Sequence, residues 1–325
     1  MGRFIVDGGW FGKYGTCIMM NADSGEMCEL IYDYGLTIHR LRLLQHDGSF
    51  MDVIHGHESV ESLRDKPFAY SGALMVPYAG RIPNATYRFA GRAYRLPVNT
   101  RDGHAIHGLL YDRRWRIRKV VEGDSFSSIE FEYIIKPDEF SGYPFYLRID
   151  VKVVFDLYGL QVETKAKNLG DCDLPVSFGW HPYINAFGGS VDECFLSLPA
   201  EELVVLDSVS KVPTGEIIPV EGSPLDFREP RKVGSLTMDN TFRSLRFRGG
   251  RAYTRMYNPN MDFGVQLWQD EGFPYLNIYI PKHRRSIAIE PLTGSPNCFN
   301  IPRFGLRILS PSEEIKATFG IQKIL

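Results

Sequence analysis

Apolar and polar side chains alternate with a period of two through much of the chain, which marks it as rich in β-strand. Leu147, Ile149, Val151, Val153, Phe155 and Leu157 form one face, and Arg148, Asp150, Lys152 and Asp156 the other. After Tyr158-Gly159 the pattern resumes, with Leu160, Val162, Thr164 and Ala166 set against Gln161, Glu163, Lys165 and Lys167. Alternation on both sides of a Gly-containing break predicts a hairpin. The same reading predicts a tight hairpin around Ala90-Gly91-Arg92. It predicts another in which residues 264–268 and 276–280 flank the break at 270–274. Helical periodicity is scarce: a short helix is expected over 57–66 and a single turn over 137–143. No Ser- or Pro-rich linker, composition step or fixed-period repeat divides the chain. The expectation is an all-β protein with one domain over residues 1–325, built of large, mostly antiparallel stacked sheets with few short helices.

Composition narrows the function. Hydrophobic residues make up 44% and charged residues 23%, as in an ordinary globular protein. A net charge of −2 argues against a nucleic-acid partner. No apolar run is long enough for a membrane span or a signal-peptide core. The five cysteines (Cys17, Cys28, Cys172, Cys194 and Cys298) are widely spaced and form no C-x-x-C. That spacing disfavours a disulfide framework or a zinc site and fits a reducing cytoplasm. Aromatic content is 13%, with 17 Tyr and 21 Phe, enough to fill a sheet-on-sheet core and to wall a cleft for a flat amphipathic ligand. The sequence leaves monomer or homodimer open.

Three separated segments each centre on a titratable residue beside Gly or Pro, or at the end of an apolar run. They are Gly103-His104-Ala105-Ile106-His107-Gly108, Phe178-Gly179-Trp180-His181-Pro182-Tyr183 and Ile287-Ala288-Ile289-Glu290-Pro291. Two imidazoles and a carboxylate are the parts needed to move protons between two oxygens. Arg81, between Gly80 and Ile82-Pro83, can aim a five-donor fork into a cleft. Each also has a plainer reading. Arg81 could be a surface charge and His181 a core histidine. Glu290 could be half of a salt bridge with Arg284 or Arg285. His55, His57 and His104 read as solvated loop histidines. Without Cys partners or an H-E-x-x-H pattern, no metal is expected. There is no G-x-S-x-G, Walker A loop, G-x-G-x-x-G or EF-hand loop, which disfavours nucleophilic hydrolysis, nucleotide binding and hydride transfer.

Read in order, these segments resemble the aldose 1-epimerase (galactose mutarotase-like) family from about Leu74 to Asn300. Tyr78-Ala79-Gly80-Arg81-Ile82-Pro83-Asn84-Ala85 is similar to the family's Arg-containing segment. His107-Gly108-Leu109 and Gly179-Trp180-His181-Pro182-Tyr183 are similar to its two histidine motifs. Pro224-Leu225-Asp226-Phe227-Arg228 and Met238-Asp239-Asn240-Thr241-Phe242 resemble its acidic segments, and Ile289-Glu290-Pro291 its glutamate strand. Gly80 stands where many members carry Asn, and Pro182 follows His181 where an amide-bearing residue is usual.

The resemblance implies a β-supersandwich and interconversion of the anomers of a monosaccharide without a cofactor. By position, Glu290 would be the general base, His181 the general acid, and His107 would polarise the ring oxygen. Arg81 and Asp239 would bind sugar hydroxyls, with Asn84, Trp180 and Tyr183 as further substrate contacts. A bell-shaped pH profile would follow, rising with Glu290 and falling with His181. Two alternatives remain at this point. One is an epimerase of a hexose 6-phosphate or other anionic sugar, with Arg113, Arg114, Arg284 and Arg285 as the extra cations. The other is a sugar-binding module without catalysis.

Overall fold

The computed structural model describes residues 3–64, 70–210 and 212–324. The all-β expectation holds: strands take up about 51% and helices about 4% of the structure. Three large antiparallel sheets dominate among the described residues. A five-stranded sheet takes Phe4–Phe11, Tyr14–Asn21, Met27–Ile31, Thr37–Leu44 and Phe50–Asp52 in chain order. The nine-stranded sheet contains the hairpin Leu147–Asp156 and Gly159–Asn168, followed by Glu314–Lys323, Phe263–Asp270 and Arg251–Asn258. The eight-stranded sheet runs Pro213–Pro219, Ala200–Leu206, Asp239–Leu245, Tyr275–Tyr279, Ser286–Leu292, Gly179–Trp180 and Leu74–Met75. Tyr183–Asn185 also pairs with Ser286–Leu292.

The predicted hairpin at Tyr158-Gly159 forms in register, Leu147 opposite Asn168 and Asp156 opposite Gly159. Its apolar positions are buried down to Phe155, whereas Leu157 and Tyr158 are exposed at the turn. The tight hairpin also forms, Thr86–Phe89 against Arg92–Arg95, with Ala90 and Gly91 both at positive φ. That conformation is the one a two-residue turn needs to match strand twist.

The expected hairpin across 270–274 does not form. Phe263–Asp270 belongs to the nine-stranded sheet and Tyr275–Tyr279 to the eight-stranded one. The break is a crossover between layers, and Gln269 holds it by donating through Nε2 to the Phe273 and Tyr275 carbonyls at 2.6 and 2.9 Å. Alternation alone reports which face of a strand is buried, not which strand lies beside it. The expected helix over 57–66 is a 3₁₀ turn at Glu61–Leu63, with Asp65 and Lys66 outside the described residues. Residues 137–143 form turns without a helix.

The eight- and nine-stranded sheets face each other across an aromatic core. Trp180 of one meets Phe319 of the other at 5.8 Å between ring centroids, and Phe273 of the crossover packs on both Phe178 and Phe319. One contiguous apolar cluster reaches from Phe4 to Ile321. Residues 105–109 cross from this core to the rim of the eight-stranded sheet. Ala105–Ile106 pairs with Arg81–Ile82, and Leu109 N–H donates to the Val76 carbonyl at 2.8 Å.

Gly108 makes the tight return possible: its φ is +80°, and a Cβ there would lie 2.2 Å from the Val76 carbonyl oxygen and 2.5 Å from its nitrogen. Gly91 shares the positive φ, but a Cβ placed there would meet no heavy atom within 4 Å. Gly91→Ala should therefore cost only the left-handed backbone penalty, about 1–2 kcal/mol. Gly108→Ala forces main chain apart and should cost ~3 kcal/mol or more. Denaturant unfolding of the two variants checks this; equal destabilisation would contradict the close-approach explanation.

Candidate active site

The strand Ser286–Leu292 is buried at every position, because it is flanked on one side by Tyr275–Tyr279 and on the other by Gly179–Trp180 and Tyr183–Asn185. Ile287 and Ile289 share one face. Ala288, Glu290 and Leu292 share the other by period-two alternation. Register extends that second face across the sheet: Glu290 lies opposite Asn277, and Asn277 opposite Thr241. Two residues along the same strands, Asp239 lies opposite Tyr279. A carboxylate, an amide, a hydroxyl, a second carboxylate and a phenol thus line one face, while Phe242, Leu276, Ile278 and Ile289 occupy the other in the core.

Alternation likewise decides the histidine segment. Gly179 lies opposite Leu292, on the face of Glu290. Trp180 therefore points to the core, and His181 returns to the face of Gly179. The His181 backbone is held at both groups: its N–H donates to the Ala73 carbonyl at 3.1 Å, and its carbonyl accepts from Gly72 N–H at 2.8 Å. Tyr183 stacks on the His181 ring, 4.9 Å between centroids and 10° between planes. His107 sits at φ +59°, with its N–H donating to the Gly80 carbonyl at 3.0 Å. Its ring stands edge-on to His181 at 5.0 Å and contacts Tyr70 at 4.8 Å. A left-handed histidine between a short strand and Gly108 is the kind of local strain that recurs at functional sites.

These residues enclose a cavity of about 340 Å³ between the eight-stranded sheet and the loop carrying residues 99–107. That is within the range of small-molecule sites. His181 Nε2 lies 3.7 Å from Glu290 Oε1. Asn277 Nδ2 donates to the same oxygen at 2.9 Å. Arg81 enters from the loop side, its Nη1 donating to Asp102 Oδ2 at 2.8 Å; Asp102 also faces His104 Nε2 at 3.6 Å. The Nδ1 atoms of His107 and His181 are buried without a hydrogen-bond partner among the described residues.

Burial dominates the electrostatics. Glu290 is 3% exposed and its carboxyl is pushed up to about 8. Desolvation is the main cause and the Asp239 charge adds to it, while the Asn277 amide opposes it. Burial lowers His181 to about 4. His107 is held well below the usual imidazole range by burial, with His181 and Arg81 contributing. Burial thus favours a carboxylic acid beside a neutral imidazole over an ion pair in this close pair.

Of the residues singled out in the sequence, Arg81, His107, His181, Tyr183, Asp239 and Glu290 line this one cavity. Trp180 does not. It is fully buried on the opposite face, where its Nε1–H donates to Thr164 Oγ1 at 2.9 Å. Asn84 is also outside: its side chain is exposed, its φ is +51°, and its backbone N–H donates to His104 Nδ1 at 2.9 Å. Asn84 belongs to the turn that seats His104, not to the cavity. His104 is consequently not a free loop histidine. Nor is His57, which is buried with Nδ1 against Ser62 Oγ at 3.1 Å and Nε2 against the Ser71 carbonyl at 3.2 Å.

The four arginines considered for an anionic sugar all point elsewhere. Arg113 pairs with Asp112, Arg114 with Asp33, Arg284 with Asp192 and Arg285 with Glu58, and none lines the cavity. Asp226 is tied to Arg228 at 2.8 Å in a surface network, also away from it. Sequence reasoning missed Tyr70, Asn277 and Tyr279, which do line it. For Asn277 a signal existed: an amide between Leu276 and Ile278 in an otherwise apolar stretch. Among the described residues, no three His, Cys, Asp or Glu side chains group closely enough to hold a metal ion. None of the described helices is long and apolar enough to cross a membrane.

Comparison with known proteins places this geometry. The family model for aldose 1-epimerase matches residues 17–322. An uncharacterized protein of Escherichia coli, YihR, is 30% identical over 238 residues, covering 73% of this chain and 74% of that one. Mouse galactose mutarotase is 28% identical over 231 residues, covering 69% of this chain and 64% of the mouse protein's length. The crystal structure of a galactose mutarotase-like protein from Clostridium acetobutylicum superposes with a TM-score of 0.87 over 99% of both chains at 18% identity, so the two share the galactose mutarotase-like fold. The match over nearly the whole sequence, with the histidine and glutamate segments gathered around one cavity, shows that the chain belongs to the aldose 1-epimerase family.

Proposed function

We propose that this protein interconverts the α and β anomers of a hexose by opening and reclosing the hemiacetal ring. The observation that carries the reading is the buried Glu290–His181 pair, 3.7 Å apart, with the His107 ring edge-on beside it in the same cavity. A binding module has no need of a strongly perturbed acid–base pair, and perturbed titratable groups in a cleft favour catalysis. The cations considered for an anionic sugar, Arg113, Arg114, Arg284 and Arg285, are engaged outside the cavity; the guanidinium groups that do line it are Arg81, paired with Asp102, and Arg101.

Ring opening requires one proton to leave the C1 hydroxyl and one to reach the ring oxygen. Glu290 as carboxylate takes the first. His181 as imidazolium gives the second, with His107 against the ring oxygen. This leaves a carboxylic acid, a neutral imidazole and the open-chain aldehyde. Rotation about the C1–C2 bond turns the carbonyl over. Reclosure returns both protons and yields the other anomer, with no net change in the protein. Arg81 and Asp239 hold sugar hydroxyls, and Tyr183, stacked on His181, fixes the imidazole plane and gives the sugar an apolar wall. Each proton transfer by a positioned group is worth roughly 10²–10⁴ in rate.

The pair needs one proton between its two members. With Glu290 at about 8 and His181 at about 4, that condition holds between those values. The profile of kcat/KM should therefore rise as His181 loses its proton and fall as Glu290 loses its own. This reverses the assignment expected from the sequence, because burial disfavours both charged forms. The limbs are macroscopic properties of the pair. Polarimetric anomerisation rates measured from well below the lower value to well above the upper one test this; a flat profile across that range would remove the pair from the chemistry.

Glu290→Gln keeps shape and removes the base. Turnover should fall at least ~10²-fold while sugar affinity survives, and His181→Asn should do the same from the acid side. Near wild-type turnover in Glu290→Gln would overturn the proposal. Loss of affinity with an unchanged rate per bound sugar would instead make Glu290 a holding residue. The same variant has a stability signature. The folded state raises the Glu290 value above its ordinary 4.5, so the wild-type carboxyl's contribution is fully present below 4.5 and is lost as pH rises through about 8. Glu290→Gln should gain thermal stability relative to wild type as pH rises across that window; a pH-independent difference would contradict the burial explanation.

A further inference from the structure

Three residues form a hydrogen-bonded line across the sheet, and two of them, Thr241 and Asn277, carry no role in the chemistry described above. Thr241 Oγ1 donates to Asn277 Oδ1 at 2.9 Å, and Asn277 Nδ2 donates to Glu290 Oε1 at 2.9 Å. The line follows the register, since Thr241, Asn277 and Glu290 stand directly opposite one another on adjacent strands. Thr241 is completely buried, and this is the hydrogen bond its hydroxyl makes among the described residues.

We propose that Thr241 and Asn277 are positioning residues that keep an amide N–H, and not an amide carbonyl, facing Glu290. The proposal rests on Glu290 being the base. An amide can present either end. A donor favours the carboxylate that must accept a proton, whereas a carbonyl would accept from the carboxylic acid and hold its proton in place. Reversing Asn277 would leave the proton of the completely buried Thr241 hydroxyl without an acceptor, which is unfavourable. Thr241 therefore sets the polarity of the line. The other groups facing Glu290 work differently. His181 lies across the cavity side, Asp239 raises the carboxyl through its charge, and Tyr183 and Tyr279 sense Glu290 electrostatically. His107 and Arg81 stand beyond His181, on the loop side. Among these, Asn277 supplies the hydrogen bond that favours the ionised form.

The test is Thr241→Val, which keeps the side-chain shape and removes the hydroxyl, compared with Thr241→Ser, which restores it. Glu290 is followed directly by carbon NMR of protein labelled at the glutamate carboxyl, its resonance assigned by its absence in Glu290→Gln. Thr241→Val should raise the Glu290 titration midpoint by about half a unit to one unit. It should lower kcat about tenfold with KM changed less than about twofold, and shift the alkaline limb of the profile by the same amount. Thr241→Ser should return all three to wild type. A merely structural role predicts a lower melting temperature with the titration midpoint unmoved, and that result overturns the proposal. If Thr241→Val does not fold, Asn277→Leu takes its place: it removes the donor outright, and an unmoved midpoint there is equally fatal. Failure of the mutarotase reading is separately visible, because an active Glu290→Gln would leave the NMR result intact.

Discussion

A carboxyl group buried in the middle of an apolar strand is the constraint around which the rest of the site is arranged. Glu290 is only 3% exposed, so in the proposed reaction the charge it carries during proton transfer has to be stabilised by protein groups or by the ligand itself. The sheet supplies one fixed donor through Asn277, and a sugar's hydroxyls supply others when it binds. An exposed glutamate would ionise freely but would be a weak base near neutral pH. Desolvation makes Glu290 a stronger base, and the Asn277 amide limits how far that goes.

Placing this group depends on the two faces of one sheet having opposite characters. The face of the eight-stranded sheet toward the nine-stranded sheet is aromatic and aliphatic, and Trp180, Phe178 and Phe319 lock it. The face toward the cavity carries Asp239, Thr241, Asn277, Tyr279 and Glu290 at positions dictated by register. A slip of one residue in any of these pairings would exchange the faces and bury the polar line in the core. The extensive apolar packing on one side is thus what keeps a polar, partly unsatisfied face rigid on the other. The histidines are delivered separately. His181 comes from within the sheet, whereas His107 comes from a strained loop clamped by Gly80 and Gly108.

Much of this was legible in the sequence because period two is a local property. The hairpin at Tyr158-Gly159, the turn at Ala90-Gly91 and the all-β character follow from short-range alternation and turn chemistry. The crossover at 270–274 was misread because alternation is the same whether the next strand pairs beside the last or in the opposite layer. Trp180 shows a related limit. Its neighbours in sequence both lie on the face of the sheet that carries Glu290, yet alternation sends Trp180 itself to the core. Asn84 was drawn in by proximity to Arg81, and its left-handed turn aims it at solvent. Asn277 and Thr241 were missed because a single polar residue on a strand reads as surface until register puts it next to a buried carboxyl.

The proton content of the pair ties these features to the chemistry. A carboxylate beside an imidazolium and a carboxylic acid beside a neutral imidazole hold the same number of protons. In the proposed reaction the first is the state before ring opening and the second the state with the open-chain aldehyde bound. Burial of both groups favours the second. Burial by itself therefore biases the pair toward the protonation state of the intermediate stage. Cyclic sugar has to draw the pair toward its charged form through hydrogen bonds made on binding, and ring opening then returns it to the form that the low-dielectric site prefers. The Asn277 donor keeps that charged form within reach, whereas a site without a donor to Glu290 would leave too little of the reactive carboxylate for ring opening to begin. A site that leaves the pair neutral lowers the energy of the open-chain stage relative to both cyclic complexes, and it does so equally for the two anomers, as a reaction that runs in both directions requires.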